Sequence, residues 1–299
     1  MAQTPAVDVP PRWADALAAV LDRGARTVLL LGATDTGKTS FCRFAASALA
    51  DAGRTVAAVD ADPGQKWIGP PATVGLGYPM PGRPDPPAVA LGFVGSPDPA
   101  GHFLPLVAGT MRLVEDAAAD LVLVNTAGLV TGPGRLLTDH LVEAVRPELI
   151  VAIERAGELA PLLDANRHVP ALILAPSPAA RRKSAARRRA LRRAGFAAAF
   201  EGATTLAFDP RALALQRAAS APEPEPGASL LCAACDAGGR MLGLALLDRN
   251  GPPALRTAVP APAVAVLQLG TLHLDAEFGE IRPRSFRRKD RSSARGVGT

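Results

Sequence analysis

Residues 32–40 carry the most specific chemistry in the chain. Gly32-Ala33-Thr34-Asp35-Thr36-Gly37-Lys38-Thr39-Ser40 fits the pattern G-x-x-x-x-G-K-[ST]. The two glycines let the backbone turn so that successive N–H groups point at an anion. A helix that follows adds its positive N-terminal end. In such a loop Lys38 reaches the β- and γ-phosphates, and the Thr39 hydroxyl sits on Mg²⁺. An apolar run at 27–31 leads in and a run with helical spacing at 40–50 leads out. The pattern therefore has the strand–loop–helix context that phosphate binding needs. Gly32, Thr34, Asp35, Thr36, Gly37, Lys38, Thr39 and Ser40 are predicted to hold a nucleoside triphosphate.

Three further clusters could act on that phosphate. Asp60-Ala61-Asp62-Pro63-Gly64-Gln65 closes a second apolar run. A carboxylate there could hold Mg²⁺ or accept a proton from an attacking hydroxyl. It could equally cap the turn that Pro63-Gly64 makes. Asn125-Thr126-Ala127-Gly128 ends another apolar run and brings amide and hydroxyl groups, or simply a polar turn. Asn stands there where a P-loop enzyme often places an Asp, so the acidic role shifts to Asp60 and Asp62. Arg188 and Arg192 lie four apart in a basic helix at 181–200 and share one face. They could straddle a migrating phosphoryl group as arginine fingers, or form a solvated basic face.

The elements that must position these clusters are legible from the apolar pattern. Continuous apolar strands are predicted at 27–31, 55–60, 88–94, 121–124, 149–153 and 171–174. Helices are predicted at 13–21, 40–50, 104–118, 136–145 and 181–200. Residues 69–87, rich in Pro and Gly, read as loop. Apolar strands alternating with helices imply an α/β fold, a mostly parallel sheet of P-loop NTPase type covered on both faces. In such sheets ligands lie beyond the carboxyl ends of the strands, where the polar clusters fall. Short strands at 230–235, 241–247, 263–267 and 271–274 suggest a small β module. The expected organisation is a lead-in helix (1–25), a P-loop domain (26–212), a linker (213–229), the β module (230–281) and a basic, disordered tail (282–299).

Bulk properties narrow the function class. The chain has 299 residues, 48% of them hydrophobic, which suffices for a large core. The formal net charge is +5, and the arginines crowd into 181–193 and the tail, which suits a polyanionic partner. Three cysteines argue against a disulfide framework and for a reducing compartment. Cys232-Ala233-Ala234-Cys235 lacks the second ligand pair that a zinc site needs, and reads as strand. The first residues show no signal core and no stretch approaches a membrane span. A soluble, cytoplasmic protein without membrane association is expected, and the sequence points to no protein partner.

Taken in order, these motifs resemble the P-loop polynucleotide 5′-hydroxyl kinases. That family includes the kinase subunit of the mRNA 3′-end cleavage machinery, the nucleolar pre-rRNA-processing kinase and their prokaryotic relatives. The resemblance rests on the P-loop, Asp62-Pro63-Gly64-Gln65, Gly95-Ser96-Pro97, Asn125-Thr126-Ala127-Gly128 through Gly132, and the Arg-rich helix closing in Phe200-Glu201-Gly202. It implies ATP- and Mg²⁺-dependent phosphorylation of a 5′-hydroxyl end of RNA or DNA. It gives Lys38 the charge-carrying role, Thr39 and Asp62 the metal, and Asp62 also the activation of the hydroxyl. It places Gln65, Ser96, Asn125, Thr126 and Gly128 toward the substrate, and Arg188 and Arg192 in a lid over the triphosphate. Eukaryotic mRNA-processing members carry Trp after Asn-Thr-x-Gly to stack on a base, whereas Leu129 stands here. Trp67 is the candidate replacement on the substrate side, with a core or packing role as the equal alternative. The large N-terminal domain of those subunits is missing, which argues against a scaffold role. The competing reading is a P-loop switch that hydrolyses nucleotide and signals through a partner; it needs no basic lid.

Overall fold

The computed structural model describes residues 9–83, 85–207, 213–217 and 226–281. Its first part runs α1 (Pro11–Asp22), β1 (Thr27–Gly32), α2 (Lys38–Asp51), β2 (Val56–Ala61), β3 (Thr73–Gly77), β4 (Ala90–Phe93), α3 (Phe103–Glu115), β5 (Leu121–Thr126), α4 (Pro133–Val145), β6 (Leu149–Ile153), α5 (Ala160–Ala165), β7 (Ala171–Leu174) and α6 (Ala185–Ala199). The strands form one seven-stranded sheet in the order β4-β3-β2-β5-β1-β6-β7. β2, β5, β1, β6 and β7 are parallel. Successive residues of each strand feed opposite cores, as a sheet covered on both faces requires. Leu29, Leu31, Val59, Val124 and Ile150 pack with Leu106, Leu113 and Leu137 of α3 and α4. Val28, Leu30, Ala58, Leu123 and Val151 pack with Trp13 and Phe41 of α1 and α2. This core fixes the carboxyl ends of β1, β2, β5 and β6 side by side.

The stretch at 69–87 departs from the loop expected of it. Its residues Thr73–Gly77 form β3, fully buried and antiparallel to β2 and β4. Two glycines hid the strand. A Cβ on Gly75 would stand 2.5 Å from the Ile68 carbonyl oxygen, so the close approach of the 67–68 backbone requires glycine there.

A second sheet follows, built from β8 (Thr204–Ala207), β9 (Ala214–Arg217), β10 (Ser229–Cys235), β11 (Met241–Asp248), β12 (Ala254–Thr257), β13 (Val266–Leu274) and β14 (Glu280–Ile281). Its order is β14-β13-β10-β11-β12-β8, with β9 parallel to β13. The strands expected at 263–267 and 271–274 are the single strand β13. β8 and β9 also belong to this sheet, although they precede residue 230, where the module was expected to begin. Cys232 and Cys235 lie buried in β10, and burial pushes their thiols up to about 12 and about 11. Phe196 and Phe200 at the end of α6 share a core with Leu231, Leu244 and Leu274 of this sheet. The tail at 282–299 and the linker residues 218–225 lie outside the described residues. No helix among the described residues is long and apolar enough to cross a membrane.

Candidate active site

The loop after β1 has the expected geometry. Asp35 and Gly37 both take positive φ, 60° and 103°, which folds the backbone back on itself ahead of α2. Gly32 is pinned, because a Cβ there would stand 2.6 Å from both the Ile153 carbonyl oxygen and Thr36 Oγ1. The buried Thr36 hydroxyl donates to the Ala33 carbonyl at 2.9 Å and ties the loop to itself. Lys38 and Thr39 open α2, and Ser40 follows in its first turn. The Lys38 ammonium donates to the carbonyls of Gly32 at 2.7 Å and Ala33 at 3.0 Å, so it spans the loop where phosphates would lie. Burial lowers its pKa to about 8, and Asp62 is the main charge opposing that fall.

The two carboxylates, which spacing alone did not separate and of which the resemblance named Asp62, have different surroundings. Asp60 is completely buried and saturated. Its Oδ2 accepts the backbone N–H of Trp67 at 2.7 Å and of Ile68 at 3.1 Å, and meets the Lys66 ammonium at 3.0 Å. Its Oδ1 accepts Asn125 Nδ2 at 2.9 Å. Asp60 is a buttress. Asp62 sits on a large groove with Thr34, Gly64 and Gln65. Its Oδ1 accepts the N–H groups of Gly64 and Gln65, each at 2.9 Å, which fixes the carboxylate in place. Its Oδ2 makes no hydrogen bond among the described residues. Burial first, and the Asp60 charge second, push the Asp62 pKa above the ordinary carboxylate range. A fixed carboxylate with one open oxygen and a raised pKa suits a general base.

The donors for a metal are hard oxygens. Thr39 Oγ1, the Asp62 carboxylate and Asn125 Oδ1 are available. Asn125 donates its Nδ2 toward Thr39 Oγ1 at 3.3 Å, while its buried Oδ1 has no partner among the described residues. A buried oxygen without a partner, on a side chain whose amide nitrogen faces the Thr39 hydroxyl, is what a water of a hydrated cation would satisfy. Together with nucleotide phosphates, this set fits Mg²⁺, which needs only one or two protein carboxylates.

Of the residues expected toward the substrate, Gln65, Ser96 and Gly128 line the groove, whose volume is about 1840 Å³. Ser96 Oγ accepts the Asp98 N–H at 3.0 Å and shapes the 95–99 loop. Gly128 cannot be replaced freely, since a Cβ there would stand 2.5–2.6 Å from Oγ1, Cα and N of Thr34. Three others are corrected. Trp67 is packed in the core under α2, and its Nε1 donates to Asp85 at 2.8 Å, so its face is not offered to a base. Thr126 is buried and donates to the Leu30 carbonyl at 2.6 Å, clamping β5 to β1. Asn125 lies behind Thr39 and Asp60 rather than on the groove.

Arg188 and Arg192 both line the same groove as Asp62. The basic helix is shorter than expected and starts after Ser184, whose side chain accepts the Arg187 N–H as an N-cap. Its first turns are tied to the P-loop. Arg188 Nη2 donates to Asp35 Oδ2 at 2.5 Å, the Lys183 N–H donates to the same oxygen at 2.9 Å, and Lys183 Nζ reaches Oδ1 at 3.3 Å. Burial raises the Asp35 pKa, but these donors outweigh it and hold the carboxyl below its ordinary value. Arg155 also donates to the Asp35 carbonyl at 2.9 Å. The sequence named neither Lys183, Arg155 nor the buried Lys66 for the site. Their partners lie 148, 120 and 6 residues away, so only the last was within reach of a local reading.

The chain is similar to several known proteins. A polyribonucleotide 5′-hydroxyl-kinase of Pyrococcus horikoshii is 36% identical over 188 residues, covering 61% of this chain and 52% of the relative. One of Methanocaldococcus jannaschii is 35% identical over 166 residues, covering 52% and 45%. The chain thus spans about half the length of the curated relatives it matches. Among solved structures, Clp1p in its complex with Pcf11p shares the fold, with a TM-score of 0.65 and 11% identity over 87% of this chain and 78% of that one. Residues 32–202, from the first glycine of the P-loop to the turn that closes the basic helix, match the description mRNA cleavage and polyadenylation factor CLP1 P-loop, and the chain belongs to that family.

Proposed function

We propose that the chain is a polynucleotide 5′-hydroxyl kinase that transfers the γ-phosphate of ATP to the 5′-hydroxyl end of a nucleic acid. The observation that carries this reading is Asp62. Its carboxylate is fixed by two backbone donors, keeps one oxygen open, and shares one groove with Thr34 of the P-loop and with Arg188 and Arg192. A nucleotide switch has no use for a base and two arginines around a groove of this size. The names of the relatives favour RNA as the substrate, and DNA remains within the proposal.

In this reading the triphosphate lies on residues 32–40. Lys38 gives up its bonds to the Gly32 and Ala33 carbonyls for phosphate oxygens. The 5′-hydroxyl oxygen attacks the γ-phosphorus, its proton passes to Asp62 Oδ2, and the bond to the departing ADP oxygen breaks. Thr39 and Asp62 would hold Mg²⁺, with Asn125 Oδ1 behind them, and the ion would neutralise charge on the phosphate oxygens. Lys38, Arg188 and Arg192 face the charge spread over the transferring group. Positioning supplies most of the rate, since the chemistry makes no enzyme-bound covalent intermediate. The three cysteines are free and buried, which fits a reducing cytoplasm.

The test is ATP turnover by the purified chain. A 5′-hydroxyl oligoribonucleotide should stimulate it, and the same oligonucleotide carrying a 5′-phosphate should not. Equal stimulation by both, or by neither, contradicts the proposal.

A further inference from the structure

The second sheet lines the groove with Gln216 of β9 and with the hairpin of β13 and β14. β13 and β14 are joined by residues 275–279, a turn closed by the Asp275 carboxylate, which accepts the N–H groups of Glu277 at 3.0 Å and Gly279 at 2.7 Å. This hairpin grips the second half of the basic helix α6 in three places. Phe278 stacks on Phe200 with ring centroids 5.4 Å apart. Arg193 Nε donates to the Glu277 carbonyl at 2.7 Å. Glu280 takes Arg192 in a two-point pair, Nε to Oε1 and Nη2 to Oε2, the latter at 2.9 Å. Both side chains of that pair are more than four-fifths buried.

The consequence lies in what the pair leaves over. A guanidinium offers five N–H donors in a fixed plane. Glu280 occupies the Nε–Nη2 edge. Arg192 Nη1 makes no hydrogen bond among the described residues, and Arg192 and Glu280 both line the groove that holds Asp62. We propose that Glu280 is a positioning residue for phosphoryl transfer: it holds Arg192 by one edge and leaves the other edge to an anion in the groove. This rests on the kinase reading above and adds to it a role for the second sheet. A long arginine side chain is then ordered when the protein folds, rather than when the phosphate moves. The lid is therefore held differently along its length. Its first turns hang on Asp35 of the P-loop, where a nucleotide can compete, while its second half is fastened to the hairpin.

The experiment is a double-mutant cycle on γ-phosphate transfer to a 5′-hydroxyl oligoribonucleotide, using the full chain. Glu280→Ala should lower kcat by about tenfold to a hundredfold, the range of a misplaced catalytic group, and change the KM for ATP by a much smaller factor. Glu280→Gln, which keeps one acceptor oxygen, should recover part of the loss. In an Arg192→Ala background Glu280→Ala should cost nothing further. A purely structural role for Glu280 predicts the same fold loss in both backgrounds, and that result overturns the proposal, as does full activity of Glu280→Ala. Absence of transfer by the unmodified chain would instead refute the kinase reading itself.

Discussion

Asp60 and Asp62 stand two residues apart, yet conservative replacement of each should have opposite effects. In Asp62→Asn the Oδ1 that accepts from Gly64 and Gln65 survives, so the turn persists. What is lost is a base and a metal ligand. General-base catalysis contributes about 10²–10⁴-fold, so kcat should fall by at least that factor, or about 2.7–5.4 kcal/mol in the barrier. Stability should hold or rise. The folded Asp62 pKa lies above 3.8, so the native state binds its proton more tightly than the unfolded chain. The ionised group therefore lowers stability as pH rises through the window from the unfolded to the folded pKa, and Asn removes that penalty. Asp60→Asn leaves the Lys66 ammonium buried without its counter-charge and turns an amide toward backbone donors. Breaking a buried pair from one side costs about 3–5 kcal/mol. For a chain of this size that lowers the midpoint of thermal unfolding by about 5–8 °C. Well below that midpoint Asp60→Asn should retain transfer. Calorimetric melts and single-turnover transfer on both variants read the two quantities separately. A stable, inactive Asp60→Asn beside an unstable Asp62→Asn would show that the roles are reversed.

Other perturbations have equally definite outcomes. Lys38→Ala should abolish transfer at every ATP concentration reached, since the charge that spans the loop is gone; measurable transfer at saturating ATP would contradict its role. Because burial holds the free Lys38 near 8, phosphate binding should draw its pKa upward, so that above pH 8 nucleotide binding takes up a proton and weakens as pH rises. Calorimetry in two buffers of different ionisation enthalpy measures that uptake, and zero uptake excludes the coupling. Transfer should also fail on acidification while the pH is still above the ordinary carboxylate range, as Asp62 gains its proton. Gly128→Ala should weaken nucleotide binding, because the added methyl meets the Thr34 backbone 2.6 Å away; an unchanged Kd for ATP would mean that the loop gives way freely. Leu129→Trp puts a π-face on the groove wall and should tighten RNA binding by about 1–3 kcal/mol if a base passes there.

The parts of the site that a short stretch of chain encodes were legible before the structure. The P-loop, the Asp62 turn and the parallel strands that carry them depend on local spacing and on continuous apolar runs, and β1, β2, β5 and β6 lie within a residue or two of where the pattern put them. β3 was not legible, because Gly75 and Gly77 remove the side chains that mark a strand, and its register is set by the approach of Ile68. Spacing alone did not separate Asp60 from Asp62; the resemblance named Asp62, and the physical reason that Asp60 is the buttress lies in its partners Lys66 and, 65 residues away, Asn125. Trp67 has the right chemistry to stack on a base, but Asp85, eighteen residues on, claims its indole nitrogen. Glu280 was out of reach altogether, since it meets Arg192 across 88 residues and from another sheet. Arginine spacing showed which face of the helix carries charge, and could not show what waits on the other side.

The central claim is that phosphate leaves the P-loop for a nucleic-acid end. Labelled γ-phosphate transfer from ATP to matched RNA and DNA oligonucleotides, each with a 5′-hydroxyl or a 5′-phosphate end, tests it most directly. The account predicts label on the 5′-hydroxyl oligonucleotides, none on those already phosphorylated, and loss of label with Asp62→Asn. Release of free labelled phosphate with no labelled oligonucleotide, or transfer undiminished in Asp62→Asn, would contradict it.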